Sequence, residues 1–216
     1  MKDSQISSWC SALQSGEIQA VCANSATEIS RSESPTVASQ TNERRLIFPG
    51  AFNPLHDGHR AMSDLAVDIT GTAIEIEISI DNVDKPPLTP EEVVKRVQQF
   101  PPTQRVWLTR AMRFYEKAEL FPAATFVVGA DTIARIADPR YYAGDEEQRR
   151  TSIARITELG GRFLIFGRTR DGRFHTLAEL GLPGDLSAIC SGVARDQFDF
   201  DISSTDLRMA TRQREK

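Results

Sequence analysis

Two histidines three residues apart, His56 and His59, stand where a short apolar segment meets a helix-like segment. Residues 46–48 are apolar, residues 49–55 form a turn rich in Gly and Pro, and residues 60–69 have a helical pattern. Backbone N–H groups at a helix start point outward, and the helix dipole favours negative charge there. Imidazole N–H groups also donate hydrogen bonds to phosphate oxygens. This junction therefore predicts a site that holds a polyphosphate.

The turn before the histidines contains residues suited to such a site. Gly50 would let the backbone approach a phosphate closely, although a simple turn glycine is the alternative. Asn53 either holds the shape of the turn through side-chain to backbone hydrogen bonds or contacts the ligand. His56, Asp57 and His59 are also possible metal ligands. A zinc hydrolase would want more His or Cys ligands, so no protein metal site is predicted.

A second cluster of phosphate-binding residue types lies near the end of the chain. Ser203, Ser204 and Thr205 lie at the start of a predicted helix over residues 204–212, capped by Ser203 or Ser204, and Arg208 follows one turn later. Hydroxyl and backbone N–H groups at such a helix start are suited to the β- and γ-phosphates of a nucleotide, and Arg208 could reach the same place. Ordinary N-capping by serine is the alternative interpretation.

Three motifs together resemble a known superfamily. Residues 50–59, GAFNPLHDGH, resemble the GxFNPxHxGH motif of nucleotidylyltransferases, above all the nicotinate and nicotinamide mononucleotide adenylyltransferases. Residues 202–208, ISSTDLR, are similar to the ISSTxxR motif of that family, and Gly129-Ala-Asp131 resembles its GAD motif. The resemblance covers roughly residues 44–210, with the motifs in the family's order.

The resemblance implies roles for individual residues. His56, His59 and Arg208 would be catalytic, with the histidines holding the ATP phosphates and stabilising the transition state. The residues that would line the nucleotide site are Gly50, Ala51, Phe52, Asn53, Gly129, Asp131, Ile202, Ser203, Ser204 and Thr205. Asp131 could instead be the N-cap of a helix over residues 132–136. Three further residues are assigned to the acceptor substrate. Lys85 would contact its phosphate, Trp107 would stack on its ring, and Arg168 would also bind it. A tryptophan inside an apolar strand is more often part of the core, which is the alternative interpretation of Trp107. ATP would carry Mg²⁺ mainly through its phosphates.

The order of the elements predicts an α/β fold with a Rossmann-like open parallel sheet and helices on both faces. Residues 73–80 alternate between apolar and polar side chains and predict a strand. Thr89, Pro90 and Glu92 have the types and spacing of a helix start, with Thr89 as N-cap. Residues 125–128 predict a buried strand, residues 146–159 a helix and residues 163–166 another strand. Ligands bind beyond the carboxyl ends of such strands. If the strands before Gly50 and Gly129 are neighbours, both motifs border one crevice.

The N-terminal part is predicted to lie outside this domain. Residues 1–43 are interpreted as an extension with a short helix over residues 7–20 and a flexible linker, and residues 44–216 as the catalytic domain. The net charge of −4 argues against nucleic-acid and membrane partners. Three cysteines without CxxC spacing and the lack of an apolar N-terminal segment lead us to expect a cytoplasmic protein. Small nucleotides are the expected partners, and the sequence is also compatible with a homo-oligomer.

The predicted reaction is transfer of AMP from ATP to the phosphate of nicotinamide or nicotinate mononucleotide, with release of pyrophosphate. Such a reaction needs no protein nucleophile, because the acceptor phosphate is already an anion near neutral pH. Two alternatives stay open. One is a nucleotidylyltransferase that uses CTP or ATP with a sugar, alcohol or pantetheine phosphate, and the other is a nucleotide-binding module without turnover.

Overall fold

The computed structural model describes residues 3–23, 27–30, 44–81, 86–170, 173–175 and 177–198. The strands in these ranges are β1 (Ile18–Cys22), β2 (Thr27–Ser30), β3 (Leu46–Pro49), β4 (Ile74–Ser79), β5 (Val106–Thr109), β6 (Thr125–Gly129), β7 (Arg162–Phe166), β8 (Arg168–Arg170), β9 (Arg173–His175) and β10 (Cys190–Gly192). The helices are α1 (Asp3–Ser15), α2 (Asp57–Thr70), α3 (Pro90–Val97), α4 (Phe114–Leu120), α5 (Ala130–Ala137), α6 (Glu146–Glu158) and α7 (Gly184–Ser187). Two 3₁₀ helices span Pro139–Tyr142 and Leu177–Glu179.

Eight strands form one sheet in the order β10-β7-β6-β3-β4-β5-β1-β2. The six strands from β10 to β5 are parallel, whereas β1 and β2 add an antiparallel edge beside β5. Within the parallel part, chain order runs outward from β3 to β5 on one side and from β6 to β10 on the other. This is the doubly wound order, with its switch point between β3 and β6. The predicted Rossmann-like fold is confirmed.

Helices cover both faces of the sheet. Side chains of α1, α2 and α3 pack on one face, and those of α4, α5, α6 and α7 pack on the other. Successive strand residues point to opposite faces. Leu46 and Phe48 of β3 therefore join the first core, and Ile47 between them joins the second. A sheet covered on both faces leaves little room for polar side chains unless they are paired inside the protein.

The α3 start matches the sequence prediction. The Thr89 hydroxyl accepts a hydrogen bond from the Glu92 N–H, and the Glu92 carboxylate accepts one from the Thr89 N–H, at 3.3 and 3.0 Å. Pro90 occupies the first helical position, where a missing N–H costs nothing. This reciprocal cap fixes where the chain leaves the loop that follows β4.

The predicted division at residue 43 is wrong for the described part of the N-terminal segment. β1 pairs with β5 in the main sheet, with Ala20 opposite Thr109. Ile6 and Leu13 of α1 are buried in the same core as β3. The helix ends at Ser15 because Gly16 adopts a left-handed conformation, φ 76°, so residues 18–22 are a strand and not the last helical turn. Residues 27–30 of the predicted linker form β2, and the rest of that linker lies outside the described residues.

Within the described ranges, every helix is too short or too polar to cross a bilayer. The three cysteines are free thiols, and Cys10 and Cys22 are buried.

Candidate active site

The two strands that carry the first motif and the GAD motif are neighbours. β3 and β6 pair in parallel, and the chain leaves both at the same edge of the sheet. The loop after β3 leads into the N-terminus of α2, and β6 runs directly into α5. The two strands are therefore neighbours, which is the condition that the sequence analysis set for a common crevice, and they meet at the switch point of the fold. That both motifs border one crevice stays a prediction.

Phe52 anchors the loop and is not part of its open surface. Its ring is 1 % exposed and packs edge-on against Phe48, His59 and Phe100, at centroid distances of 5.0–5.3 Å. Its backbone is in the left-handed region, φ 42°, which is unusual for a residue with a bulky side chain. The sequence analysis placed Phe52 in the lining of the nucleotide site, but its ring lies inside the core, where it holds the loop, and Phe52 is not among the residues that border the cavity described below.

The same ring explains why residue 50 is a glycine. A methyl group at Gly50 would lie 2.7–2.8 Å from two Phe52 ring carbons, closer than such contacts allow. The Gly50 N–H donates to the carbonyl oxygen of Glu77 at 3.0 Å, so it is engaged within the protein. Gly50 therefore has a packing role that the sequence interpretation missed, and it also borders the cavity described below. Ala51 and Asn53 are exposed and border that cavity too.

One side chain from the turn that follows α3 holds the loop across a long sequence distance. The Gln99 side-chain amide accepts a hydrogen bond from the Leu55 N–H at 2.7 Å and donates one to the Phe52 carbonyl at 2.8 Å. Both ends of the turn that precedes the histidines are thus tied to one amide group. The spacing along the chain, 44 and 47 residues, left no local signal of this contact in the sequence.

The two histidines form a stacked pair at the start of α2. Their ring centroids are 3.7 Å apart, with 27° between the ring planes. His56 is the N-cap residue, and its backbone N–H donates to Nδ1 of His59 at 3.3 Å. A neutral imidazole has one protonated nitrogen, so this contact assigns the proton of His59 to Nε2.

His59 stays neutral at physiological pH. Burial of the ring, with a smaller contribution from His56, lowers the pKa of His59 to about 4. The sequence interpretation allowed both imidazoles to donate hydrogen bonds. The structure narrows the contribution of His59 to a single donor, the Nε2–H group, in an uncharged ring.

A cavity of about 660 Å³ opens beyond the carboxyl ends of β3, β4 and β5. The loop between β3 and α2 contributes one side, through Gly50, Ala51 and Asn53. The remaining sides come from the end of β4, the start of α3, and the segments around α4, α5 and the first 3₁₀ helix. Those residues are Glu77, Ser79, Asp81, Pro86, Pro87, Leu88, Thr89, Glu92, Arg96, Met112, Arg113, Phe114, Lys117, Thr132, Arg135, Ile136, Tyr141 and Tyr142.

Three residues at alternate positions form what we call the β4 wall: Glu77, Ser79 and Asp81. The Glu77 carboxylate is 1 % exposed and pairs with Lys117, whose Nζ lies 2.9 and 2.8 Å from its two oxygens. The Thr109 hydroxyl donates to the same carboxylate at 2.5 Å. The hydroxyl oxygen of Ser79 is shielded from solvent and has no hydrogen-bond partner among the described residues. The sheet therefore presents a buried, partly unsatisfied polar wall to the cavity.

On the side of the cavity formed by α4, α5 and the first 3₁₀ helix, two arginines lie over two tyrosines. The Arg113 guanidinium lies 5.9 Å from the ring centroid of Tyr142, and that of Arg135 lies 6.0 Å from Tyr141. Neither forms an ion pair with a carboxylate in the described part of the chain. The Tyr141 ring is 38 % exposed, which is unusual for a large aromatic side chain. Such a surface suits a planar ligand that carries negative charge.

The GAD residues lie at the start of α5. Gly129 is the N-cap, and Asp131 sits in the first turn, where a negative charge is favourable. The alternative that Asp131 is itself the N-cap is wrong. The next residue, Thr132, borders the cavity. The predicted contact between Asp131 and nucleotide stays a prediction.

Trp107 is not at the cavity. Its side chain is buried, its ring packs against Phe121, and its indole N–H donates to Glu75 at 2.6 Å. Glu75 also accepts two hydrogen bonds from Arg45 and lies 3.6 Å from Arg105. We call these four residues the amino-end cluster, because they lie where β3, β4 and β5 begin. The predicted stacking of Trp107 on an acceptor ring is wrong, since the core interpretation of this tryptophan holds.

Several predicted site residues lie outside the described residues: Lys85, Ile202, Ser203, Ser204, Thr205 and Arg208. The predicted convergence of the histidines with the serine cluster therefore stays a prediction. Arg168 is the first residue of β8, in a two-stranded sheet that follows β7, and its role stays a prediction as well.

Comparison with known proteins adds one finding. A family model described as cytidylyltransferase-like matches residues 47–210, which include the loop between β3 and α2, both histidines and every residue that lines the cavity. No curated protein sequence matches the chain.

Proposed function

The chain belongs to the cytidylyltransferase-like family of nucleotidyltransferases, and from this premise we propose that it transfers AMP from ATP to a mononucleotide. The acceptor in this proposal is nicotinamide or nicotinate mononucleotide, and the second product is pyrophosphate. One observation supports the proposal above the others. The first residues of the GAFNPLHDGH motif, Gly50, Ala51 and Asn53, border a cavity at the switch point of a doubly wound sheet, and the motif continues into the α2 N-terminus.

In the proposed reaction, an oxygen of the acceptor phosphate attacks the α-phosphorus of ATP. A new P–O bond forms, the bond between the α-phosphorus and the bridging oxygen to the β-phosphate breaks, and pyrophosphate leaves with that electron pair. The nucleophile is already ionised, so the step requires no proton transfer from the acceptor. The protein has to bring two anions together in line and stabilise the charge on the transferring group.

His59 is suited to the second task. Its neutral ring offers the Nε2–H group as a fixed donor, since the contact at Nδ1 holds the tautomer and the stack on His56 holds the ring. A donor that is already oriented costs no reorganisation when charge develops on the phosphoryl oxygens. The α2 N-terminus adds backbone N–H groups and the positive end of its dipole.

The α4–α5 side of the cavity is suited to the acceptor. Glu77 pairs with Lys117, Asp81 with Arg110 and Glu92 with Arg96, whereas Arg113 and Arg135 keep their positive charge uncompensated by any described carboxylate. Two uncompensated guanidinium groups match the charge of one phosphate monoester.

The exposed ring of Tyr141 takes the stacking role that the sequence interpretation gave to Trp107. A planar ring held there would share the cavity with the two arginines.

The proposal assigns Mg²⁺ to the ATP phosphates, where it would neutralise charge, and no step depends on a protein ligand to it.

The test is release of pyrophosphate from ATP or CTP, measured with a panel of phosphorylated acceptors. The panel contains nicotinamide mononucleotide, nicotinate mononucleotide, a sugar phosphate, an alcohol phosphate and pantetheine phosphate. Sustained release from ATP with either mononucleotide supports the proposal. Release from CTP with an alcohol phosphate would favour the second candidate, which the family description makes the nearest rival. Nucleotide binding without release for any acceptor would indicate a non-catalytic module.

A further inference from the structure

The β4 wall places a buried charge where the reaction has no use for one. Glu77 is 1 % exposed, and an ion pair buried to this degree stabilises a fold no better than apolar side chains of similar volume. On the other face of the same strand the buried positions are apolar, since Ile76 and Ile78 pack into the core there. A paired carboxylate beside an unsatisfied Ser79 hydroxyl therefore indicates recognition of a ligand.

A count of donors and acceptors gives the chemistry of that ligand. All three N–H groups of the Lys117 ammonium are used, two by Glu77 and one by the Ala111 carbonyl at 2.7 Å. The Thr109 hydroxyl hydrogen is used by Glu77 as well. A carboxylate has about four acceptor positions, so Glu77 keeps roughly one after Lys117 and Thr109. Ser79 adds one hydroxyl that both donates and accepts.

We propose that Glu77 selects an acceptor whose inserted end is an uncharged hydrogen-bond donor, such as a carboxamide, over one that ends in a carboxylate, and that Ser79 hydrogen-bonds to either end group. The inference rests on the proposed function and chooses between its two acceptors. An amide N–H would donate to the open position on Glu77, while the amide oxygen would accept from Ser79. The wild-type protein therefore uses nicotinamide mononucleotide in preference to nicotinate mononucleotide.

The disfavoured ligand meets a like charge. A nicotinate carboxylate in the same place would face the Glu77 carboxylate with only the Ser79 hydroxyl to solvate it, because Lys117 has no donor left. Like charges brought together at a desolvated site strongly oppose binding, so we expect a preference for the amide of about tenfold or more.

The opposite preference has a defined source in the same cavity. Arg113 is half-buried, lies over Tyr142 and has no carboxylate partner among the described side chains. If the variable group of the pyridine ring pointed to Arg113 and away from the β4 wall, the guanidinium would favour the carboxylate.

The experiment measures kcat/KM for the two mononucleotides with ATP and Mg²⁺, using the full chain. An amide-to-acid ratio of about ten or more supports the proposal. A ratio near one, or below it, overturns the proposal but leaves the adenylyltransferase function standing. Turnover of neither mononucleotide overturns the proposed function and this inference with it.

Variants assign the ratio to its residues. In Glu77→Gln the new amide can donate to a carboxylate, so the ratio should fall about tenfold or more. Ser79→Ala should lower kcat/KM for both acceptors by a similar factor, about three- to tenfold, and leave the ratio unchanged. Glu75→Gln is the matched control: the same substitution on the same strand face, outside the cavity lining, should leave the ratio at its wild-type value.

Glu77→Gln leaves the Lys117 ammonium without its counter-charge and could fail to fold. The double variant Glu77→Gln with Lys117→Met removes that orphaned charge and should show the same fall in ratio. A wild-type ratio in a folded Glu77→Gln or double variant would overturn the assignment to Glu77.

Discussion

Two buried carboxylates on the same face of β4 have different surroundings. Glu75 lies near the amino end of the strand, and Glu77 lies two residues later, toward the carboxyl end. Both are at least 94 % buried, and both are ion-paired. The two carboxylates differ in the groups that satisfy the hydrogen bonds and charges around them. The surroundings of Glu75 stabilise the fold, whereas those of Glu77 are suited to bind a ligand.

The amino-end cluster is satisfied within the protein. Burial opposes ionisation of Glu75, but hydrogen bonds and charge from Arg45, together with the Trp107 N–H, outweigh it and keep the pKa of this carboxyl below its usual value. The Arg45 guanidinium also lies 4.7 and 5.1 Å from the Phe121 and Trp107 rings. Nothing in this cluster calls for a ligand.

We call the surroundings of Glu77, which include Ser79 and Thr109, the carboxyl-end region. Its polar and charged groups are not all paired within the described part of the protein. The Ser79 hydroxyl lacks a partner among the described residues, and the nearby Arg113 and Arg135 have no carboxylate to neutralise them. Unsatisfied groups of both kinds gathered around one cavity indicate a site that is completed by substrate. Substitutions at the two ends should therefore separate stability from catalysis.

The largest effect is expected from removing the strand that supports both ends. β1 pairs with β5 opposite Thr109, of the carboxyl-end region, and opposite Trp107, of the amino-end cluster. Deletion of residues 1–23 exposes the β5 edge and the α1-covered core, so we expect loss of cooperative unfolding in thermal melts. A truncated chain that unfolds at the wild-type temperature and stays active would show that the N-terminal segment is only an extension.

His59→Ala should damage catalysis without comparable damage to the fold. Loss of one charge-stabilising donor typically lowers kcat by about 10²–10³. Steady-state kinetics measures the loss, and the melting temperature of the same preparation shows that the protein remains folded. Turnover at the wild-type rate would refute the role of His59.

Glu75→Gln should do the reverse. It removes the charge that Arg45 and Arg105 face and should cost about 2 kcal/mol of unfolding free energy, while kcat at saturation stays near wild type. Because the folded-state pKa of Glu75 is lowered, this contribution is present above the ordinary glutamate pKa and is lost as pH falls through the lowered value. Denaturant titrations at several pH values measure it. A stable but inactive variant would contradict the comparison.

Two glutamines allow a sharper version of the same contrast. Gln99 holds the loop before the histidines, whereas the Gln104 side chain donates to the Ile74 carbonyl at the amino end, at 2.7 Å. Gln99→Leu should lower kcat about tenfold, with a smaller change in KM, because the loop that positions His59 loses both hydrogen bonds. Gln104→Leu should reduce stability alone, by about 1 kcal/mol. Equal kinetic effects of the two substitutions would remove the positioning role of Gln99.

At neutral pH the smallest effect is that of His59 titration, because it changes stability only as the pH falls. With its pKa lowered to about 4, folded His59 is neutral at pH 5–6, where the unfolded chain already binds the proton. The His59 contribution to stability should therefore decline as pH falls from about 6.5 to 4 and then level off. NMR titration of the ring in the nucleotide-free protein measures the pKa directly. A value near 6.5 would show an exposed, chargeable ring and contradict the buried donor.

Much of the fold could be predicted from local sequence signals. The Thr89–Pro90–Glu92 cap and the turn before His56 depend on interactions within a few residues, so both could be predicted correctly from the sequence. β1 was missed because a five-residue strand after Gly16 resembles the end of a helix. The boundary error at residue 43 follows from that single interpretation.

The candidate site was predicted less completely, and for a physical reason. Glu75 and Glu77 belong to a strand in which polar and apolar residues alternate, a pattern that predicts one solvent-exposed face. In a sheet covered by helices on both faces neither face is exposed to solvent, so such carboxylates need buried partners. Their partners, Arg45 and Lys117, lie 30 and 40 residues away, and no local pattern specifies such contacts.

The most direct test of the central claim is acceptor-dependent release of pyrophosphate from ATP by the purified full-length chain. We predict sustained release when nicotinamide mononucleotide is added, with the dinucleotide formed in equal amount and background release without acceptor. Background release with both pyridine mononucleotides, under conditions where CTP and an alcohol phosphate give steady turnover, would contradict the account.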